Sequence, residues 1–283
     1  MATFKNFATL SYNGGVLTSN TVTGELLETL SATKTAVRDI YGAGEDLTYV
    51  ISLLNSGAVA LTNLTLTDDL GGYDFGGTTV YPLAYAAGSI RYYVNGVLQA
   101  APAVDPGPPL SISGISVPAG GNAIIVYEAD VTAYAPLASE SEIINTVTVT
   151  GGGLTTPVVA TETVTVRDGA SLAISKTLEP AIVSENGQIT YTFVIENYGN
   201  TNAVATDNVV LSDNFDPILN PISVTYNGAV WTEGVNYTYD AATGAFATVA
   251  GQITVPAASY VQNPDGTWNV IPGSSVVVVS GTV

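Results

Sequence analysis

The 283 residues carry 24 acidic and six basic side chains, a formal charge of −18 that repels phosphate backbones and sets nucleic acid aside as a partner. There is no histidine and no cysteine, so Ser-His-Asp, Cys-His and zinc-thiolate chemistry are excluded and no disulfide can brace the fold. Low charge content, abundant Thr, Gly and Ala, and 16 Tyr fit an extracellular β protein better than a cytosolic enzyme.

In chain order, Met1 is followed by ATFKNFATLSYNGG, which lacks the apolar core of a signal peptide. Either a leader is removed earlier or export takes another route, such as lysis of a sporulating mother cell. The runs LTYVISLL, LTNLTLT and INTVTVT, and later ITYTFVIE, alternate with period two between Gly, Asn, Asp and Pro turns, and this predicts strands. Asn-Gly at 95–96 and again at 227–228 sits between apolar runs and predicts tight hairpins. No run shows helical periodicity, and none is long enough to span a membrane, VVVV at 276–279 reading as a strand.

The chain repeats itself. EDLTYVISLLNSG (45–57) aligns without gaps on GQITYTFVIENYG (187–199). TLTDDL (65–70) matches VLSDNF (210–215), YVNGVL (93–98) matches TYNGAV (225–230), ISVPA (115–119) matches ITVPA (253–257), and GNAIIVYEADV (121–131) matches GSSVVVVSGTV (273–283). A repeat of this size is a whole domain copied once. The reading is all-β: two tandem immunoglobulin-like β-sandwiches over 30–168 and 169–283, joined near Arg167 to Gly169.

The two ends are out of phase with this repeat. Residues 6–35 match 145–177, with Asn6 on Asn145, Ala8 on Val147, Leu10 on Val149, Thr21-Val22-Thr23 on Thr163-Val164-Thr165, and Lys34 on Lys176. The chain therefore opens with a strand-turn-strand unit that elsewhere closes a domain, while 169–283 hold no counterpart of residues 132–168. This predicts an N-terminal donor hairpin over 1–29, with Phe7, Ala8, Leu10, Val16 and Val22 as its apolar contacts. It also predicts a second domain lacking its closing hairpin, in subunits that complete one another head to tail.

Three residue types recur at matched places. Lys34 shares parity with Leu30 and Ala32, and Lys176 with Leu172 and Ile174; two of the three lysines thus project from apolar strand faces. Asp68 shares parity with Leu64 and Leu66, and Asp213 with Val209 and Leu211. Asn145 and Asn6 share it with Val147 and Ala8. A buried amine loses basicity and a buried acid gains a proton, so Lys34 could attack Asn145 assisted by Asp68, releasing ammonia and leaving an isopeptide bond. Lys176, Asp213 and Asn6 of the next subunit form the second such set. The competing reading is an ordinary Lys–Asp pair with Asn bonded to backbone.

Other signals point to little. The acidic residues at 68–69 and 213–216 lack a dense oxygen-ligand loop and read as solvated turns, not calcium ligands. Asn63-Leu64-Thr65 and Asn236-Tyr237-Thr238 fit a glycosylation pattern that is frequent by chance. Trp231 and Trp268 could stack on sugars, but aromatic residues in sandwiches are more often core. Nothing implies a metal, a cofactor or enzymatic turnover.

A first strand ending in SKT (175–177), TYTFVIEN followed by YGN, VLSDNF, and the closing NTVTVT (145–150) resemble the bacterial surface repeat called domain of unknown function 11. The likeness covers the chain as two copies and is strongest at 172–215 and 145–149. It implies a β-sandwich, an exterior location and a structural role without catalysis. The secretion signal and wall anchor of large members are missing here, so the chain looks more like two-copy clostridial proteins associated with spore-surface appendages. The expectation is a self-assembling homopolymer on the cell or spore surface, with room for accessory surface proteins. The alternative is an adhesin or carbohydrate-binding sandwich pair.

Overall fold

The computed structural model describes residues 2–26 and 28–283; Met1 and Leu27, both in the donor segment, lie outside the described residues. The described residues are strands, turns and one 3-10 turn at Ala205–Asp207, and no helix among them is long and apolar enough to cross a membrane. The chain forms two compact units: Met1–Asp39, Glu45–Val131 and Ile144–Val164 make one, and Ile40–Gly44, Thr132–Ile143 and Thr165–Val283 the other.

In the first unit one sheet runs Val97–Leu98, Arg91–Val94, Asn122–Val131, Asp46–Asn55, Leu30–Ala36. The second runs Ala103–Asp105, Leu110–Val117, Leu61–Asp68, Glu142–Gly151, Val158–Val166. The two sheets share a core because their strands alternate: Tyr49, Ile51 and Leu53 from one meet Leu64, Leu66, Val147 and Val149 from the other, all fully buried. The Tyr92 hydroxyl joins the sheets, donating to the Ser116 carbonyl at 2.7 Å and accepting the Ser116 N–H at 2.9 Å.

The second unit repeats this five-strand order: Ala229–Val230, Ile222–Tyr226, Gly273–Thr282, Gln188–Asn197, Leu172–Glu179. Its core gathers Ile189, Tyr191, Phe193, Leu211, Phe215, Val224, Phe246, Val277 and Val279. The opposing sheet is shorter, with only Ser212–Asn214, Ala245–Thr248 and Tyr237–Asp240. In the first unit Leu61–Asp68 is flanked on both sides, by Leu110–Val117 and Glu142–Gly151. Its counterpart Ser212–Asn214 has one neighbour, and Val209 and Val210 are not in a strand. A ladder with one side empty cannot hold extended backbone as firmly, which accounts for the shorter strand. The fold is thus two tandem immunoglobulin-like sandwiches, the second without a closing hairpin among the described residues.

The N-terminal segment forms a separate hairpin. Thr9–Tyr12 pairs with Gly15–Thr18, and Ala2–Asn6 with Val22–Leu26. The turn is Asn13-Gly14, both at positive φ (47° and 80°), the mirror-image type I′ turn that matches strand twist. Asn95-Gly96 and Asn227-Gly228 adopt the same conformation. Pair sums change by one between the two halves, Leu10 facing Leu17 but Asn6 facing Val22, so the returning strand carries one extra residue, the signature of a bulge.

Candidate functional site

Lys34, Asp68 and Asn145 come together in the first unit and are fully or almost fully buried. Lys34 sits on the edge strand Leu30–Ala36 opposite Ile51, its parity with buried Leu30 turning it inward. Asp68 ends its strand opposite Val147, two residues along the closing strand from Asn145. Lys34 Nζ lies 2.6 Å from Asp68 Oδ2, with both side chains wholly shielded from solvent. The Tyr127 hydroxyl donates to the same Oδ2 at 2.6 Å, and the Leu70 N–H donates to Oδ1 at 3.1 Å. Asn145 Nδ2 donates to the Tyr127 hydroxyl oxygen at 3.3 Å, leaving Asn145 Oδ1 buried without a hydrogen-bond partner.

Aromatic rings wall the site. Tyr49 and Tyr127 stack with centroids 5.6 Å apart, and Lys34 Nζ lies 4.9 Å from the Tyr49 centroid. Burial lowers the Lys34 pKa, outweighing the attraction of Asp68, and so favours the neutral amine. Burial also raises Tyr127 and Tyr49, keeping both phenols protonated. Asn145 stands near enough to Tyr49 to offset part of that rise, yet no hydrogen bond closes between them. The arrangement offers an amine made less basic by burial, a carboxyl group in contact with it, and a buried carboxamide.

The second set is built on the same frame but lies open. Lys176 sits opposite Phe193 on Leu172–Glu179, every residue of which is exposed. It pairs with Asp213, with side-chain exposures of 41% and 19% in place of zero for the first pair. Its Nζ lies 4.4 Å from the Tyr191 centroid and 5.4 Å from that of Phe193. Beside it a groove of about 330 Å³ runs between Leu172, Ile174, Ile195, Val209, Val210 and Leu211. The matching space in the first unit lies along the closing strand, where Val147 and Val149 are fully buried.

Asn6, the third member of the second set, faces Val22 in the N-terminal hairpin. There Phe4, Asn6 and Val22 share one face, with the Phe4 ring seated over Gly24, whereas Lys5 and Thr23 take the other. Leu10 and Leu17 pair across the hairpin at 63% and 65% exposure. Val16 faces Ser11 and so points away from Leu10. Ala8 shares two hydrogen bonds with Ser19, and Phe7 is exposed between the two strand pairs.

Sequence reasoning missed Tyr127 and the Leu70 N–H. Tyr127 shares parity with core residues Ile125 and Ala129, a pattern that signals burial but not a polar contact. Among the described residues no group of three or more acidic side chains could hold a metal. Asp69 instead accepts the Gly71 and Thr146 N–H groups, and Asp213 the Asn214 N–H.

No family model and no curated protein matches the chain, so the likeness to domain of unknown function 11 rests on the residues quoted for it. Among solved structures the chain is similar to the major pilin subunit of Bacillus cereus, at 12% identity over 95% of this chain and 73% of that one, TM-score 0.37. It is also similar to the pilus backbone of Streptococcus pneumoniae (12%, 87% and 50%, TM-score 0.36) and the collagen adhesin of Staphylococcus aureus (12%, 56% and 56%, TM-score 0.32). The chain spans half the length of the pneumococcal subunit. At these scores the fold assignment rests on the chain's own sheets.

Proposed function

We propose that this chain is a self-assembling structural subunit of an extracellular or spore-surface filament. Residues 1–29 of one copy would close the second sandwich, 169–283, of its neighbour by strand addition, as 142–166 close the first sandwich within the chain. The observation that carries this reading is a pair of complementary exposures in one molecule. An open apolar groove lies beside Val209 to Leu211 where the first unit has its closing strand, and an exposed hairpin carries the matching sequence. By equivalence with the first unit, Ala8 falls opposite Asp213 and Leu10 opposite Leu211. A contact between two different surfaces of one chain propagates, giving an open fibre unless its rotation closes a ring.

Isopeptide bonds complete the proposal, Lys34 to Asn145 within each subunit and Lys176 to Asn6 of the next. Docking would bring an Asn to the exposed Lys176–Asp213 pair and bury all three. Electron microscopy of the purified protein tests the reading. Filaments that vanish on removal of residues 1–29 support it; a monodisperse monomer with saturable glycan binding would favour the adhesin alternative.

A further inference from the structure

The two lysine sites share a register, and the first holds a hydroxyl that the second lacks. Tyr127 stands across from Tyr49 in the first unit, and Val279 stands across from Tyr191 in the second. Each site nevertheless keeps a stacked ring pair. Tyr49 stacks on Tyr127 at 5.6 Å and 24°, while Tyr191 stacks on Phe215, from a different strand end, at 5.0 Å and 23°. Phe215 falls where Leu70 falls in the first copy, so Tyr127 with Leu70 has become Val279 with Phe215. Ring volume is conserved between the copies; the phenol is not.

That phenol is the group that bridges acid and amide in the first site, donating to Asp68 Oδ2 at 2.6 Å and accepting from Asn145 Nδ2 at 3.3 Å. The amide is turned so that its nitrogen, the leaving group, meets the phenol and its carbonyl oxygen meets no partner. We propose that Tyr127 relays a proton from Asp68 to the departing nitrogen of Asn145, and that Val279 makes the bond between subunits the slower of the two. The inference rests on the isopeptide reading above.

The relay balances. The Lys34 ammonium gives a proton to Asp68, and the neutral amine attacks Asn145 Cγ, forming the new C–N bond as the carbonyl pair moves onto Oδ1. Nδ2 loses its conjugation and gains a lone pair, so it turns from donor to acceptor. The Asp68 proton passes to the Tyr127 oxygen as the phenol's own proton passes to Nδ2, restoring carboxylate and phenol. The Oδ1 pair re-forms the carbonyl, the Cγ–Nδ2 bond breaks, and ammonia leaves, taking the surplus proton of the former lysine nitrogen as ammonium. At the second site Asp213 must reach the leaving nitrogen unaided. A slower junction lets a misregistered donor dissociate before it is locked.

The test follows both bonds in the full chain after cell-free synthesis, by timed digestion and peptide mass for loss of ammonia at Lys34 and at Lys176. Tyr127→Phe keeps the ring and its stack. It should slow the Lys34 bond on the order of a hundred-fold or more, the lower end of what a positioned proton donor supplies, and leave the Lys176 bond unchanged. Its solvent deuterium isotope effect should also fall, because one proton in flight is removed; loss of packing alone would not do this. The reciprocal pair Val279→Tyr with Phe215→Leu restores a phenol at constant volume and should speed the Lys176 bond. A Tyr127→Phe chain that links Lys34 at the wild-type rate overturns the relay alone, as does equal slowing of both bonds. Wild-type chain with no loss of ammonia at Lys34 overturns the isopeptide reading and the relay with it.

Discussion

Leu10→Asp should break assembly at neutral pH and regain part of it in mild acid, whereas Thr9→Asp should do neither. Leu10 is 63% exposed on the free hairpin and aligns with Val149, which is fully buried. Docking should therefore bury it, and losing that burial removes about 2 kcal/mol. An aspartate entering the same apolar space must first be protonated, which at pH 7 requires about 4 kcal/mol, roughly three units above its ordinary pKa. Together, about 6 kcal/mol weakens association roughly 10⁴-fold. The docked carboxyl has a raised pKa, so the protonation penalty is present above its free pKa and shrinks as pH falls. At pH 5 it drops to about 1.5 kcal/mol, recovering roughly a hundred-fold in affinity. That pH stays above the isoelectric point near 4.1, so precipitation does not confuse the result. Thr9 faces Thr18 on the other side of the hairpin. Light scattering with microscopy at both pH values reads the outcome, and melting should be unchanged since neither residue belongs to a core. Equal effects from the two substitutions, or no recovery at pH 5, would refute the assigned face and register.

Three further outcomes are expected. Removing residues 1–29 should abolish polymerisation while circular dichroism and melting show the remaining strands folded; normal filaments from the shortened chain would be incompatible with donation. Lys176→Ala should give filaments that separate in hot detergent and still carry the Lys34 bond, as gel mobility and peptide mapping would show. Asp68→Asn should stop the Lys34 bond and leave a buried ammonium without a counter-charge, lowering stability by about 3–5 kcal/mol, read from denaturant unfolding.

The duplication was legible because the punctuation survived with the strands: Asn-Gly at 95–96 and 227–228 turns identically in both copies. Parity alone placed Lys34, Asp68 and Asn145 on buried faces, since a strand side chain has only two directions to choose from. Tyr127 escaped because an aromatic in an alternating strand reads as core, and its hydroxyl partners lie on strands distant in sequence. The weakening of 209–211 as a strand was also hidden; the residues are as β-prone as their counterparts, and what differs is the neighbour they lack. Val16 and Leu10 facing opposite ways follows from pairing across the Asn13-Gly14 turn, which apolarity does not record.

The most direct measurement uses a synthetic peptide of residues 1–29 added to the chain lacking them, with hydrogen exchange read along the acceptor. Strand donation predicts stable binding and new protection at 209–213, the stretch that the peptide's residues 8–12 would pair. It also predicts slower exchange along 172–178, where the groove wall becomes covered. Absence of binding, or protection confined to surfaces away from these two stretches, would contradict the account.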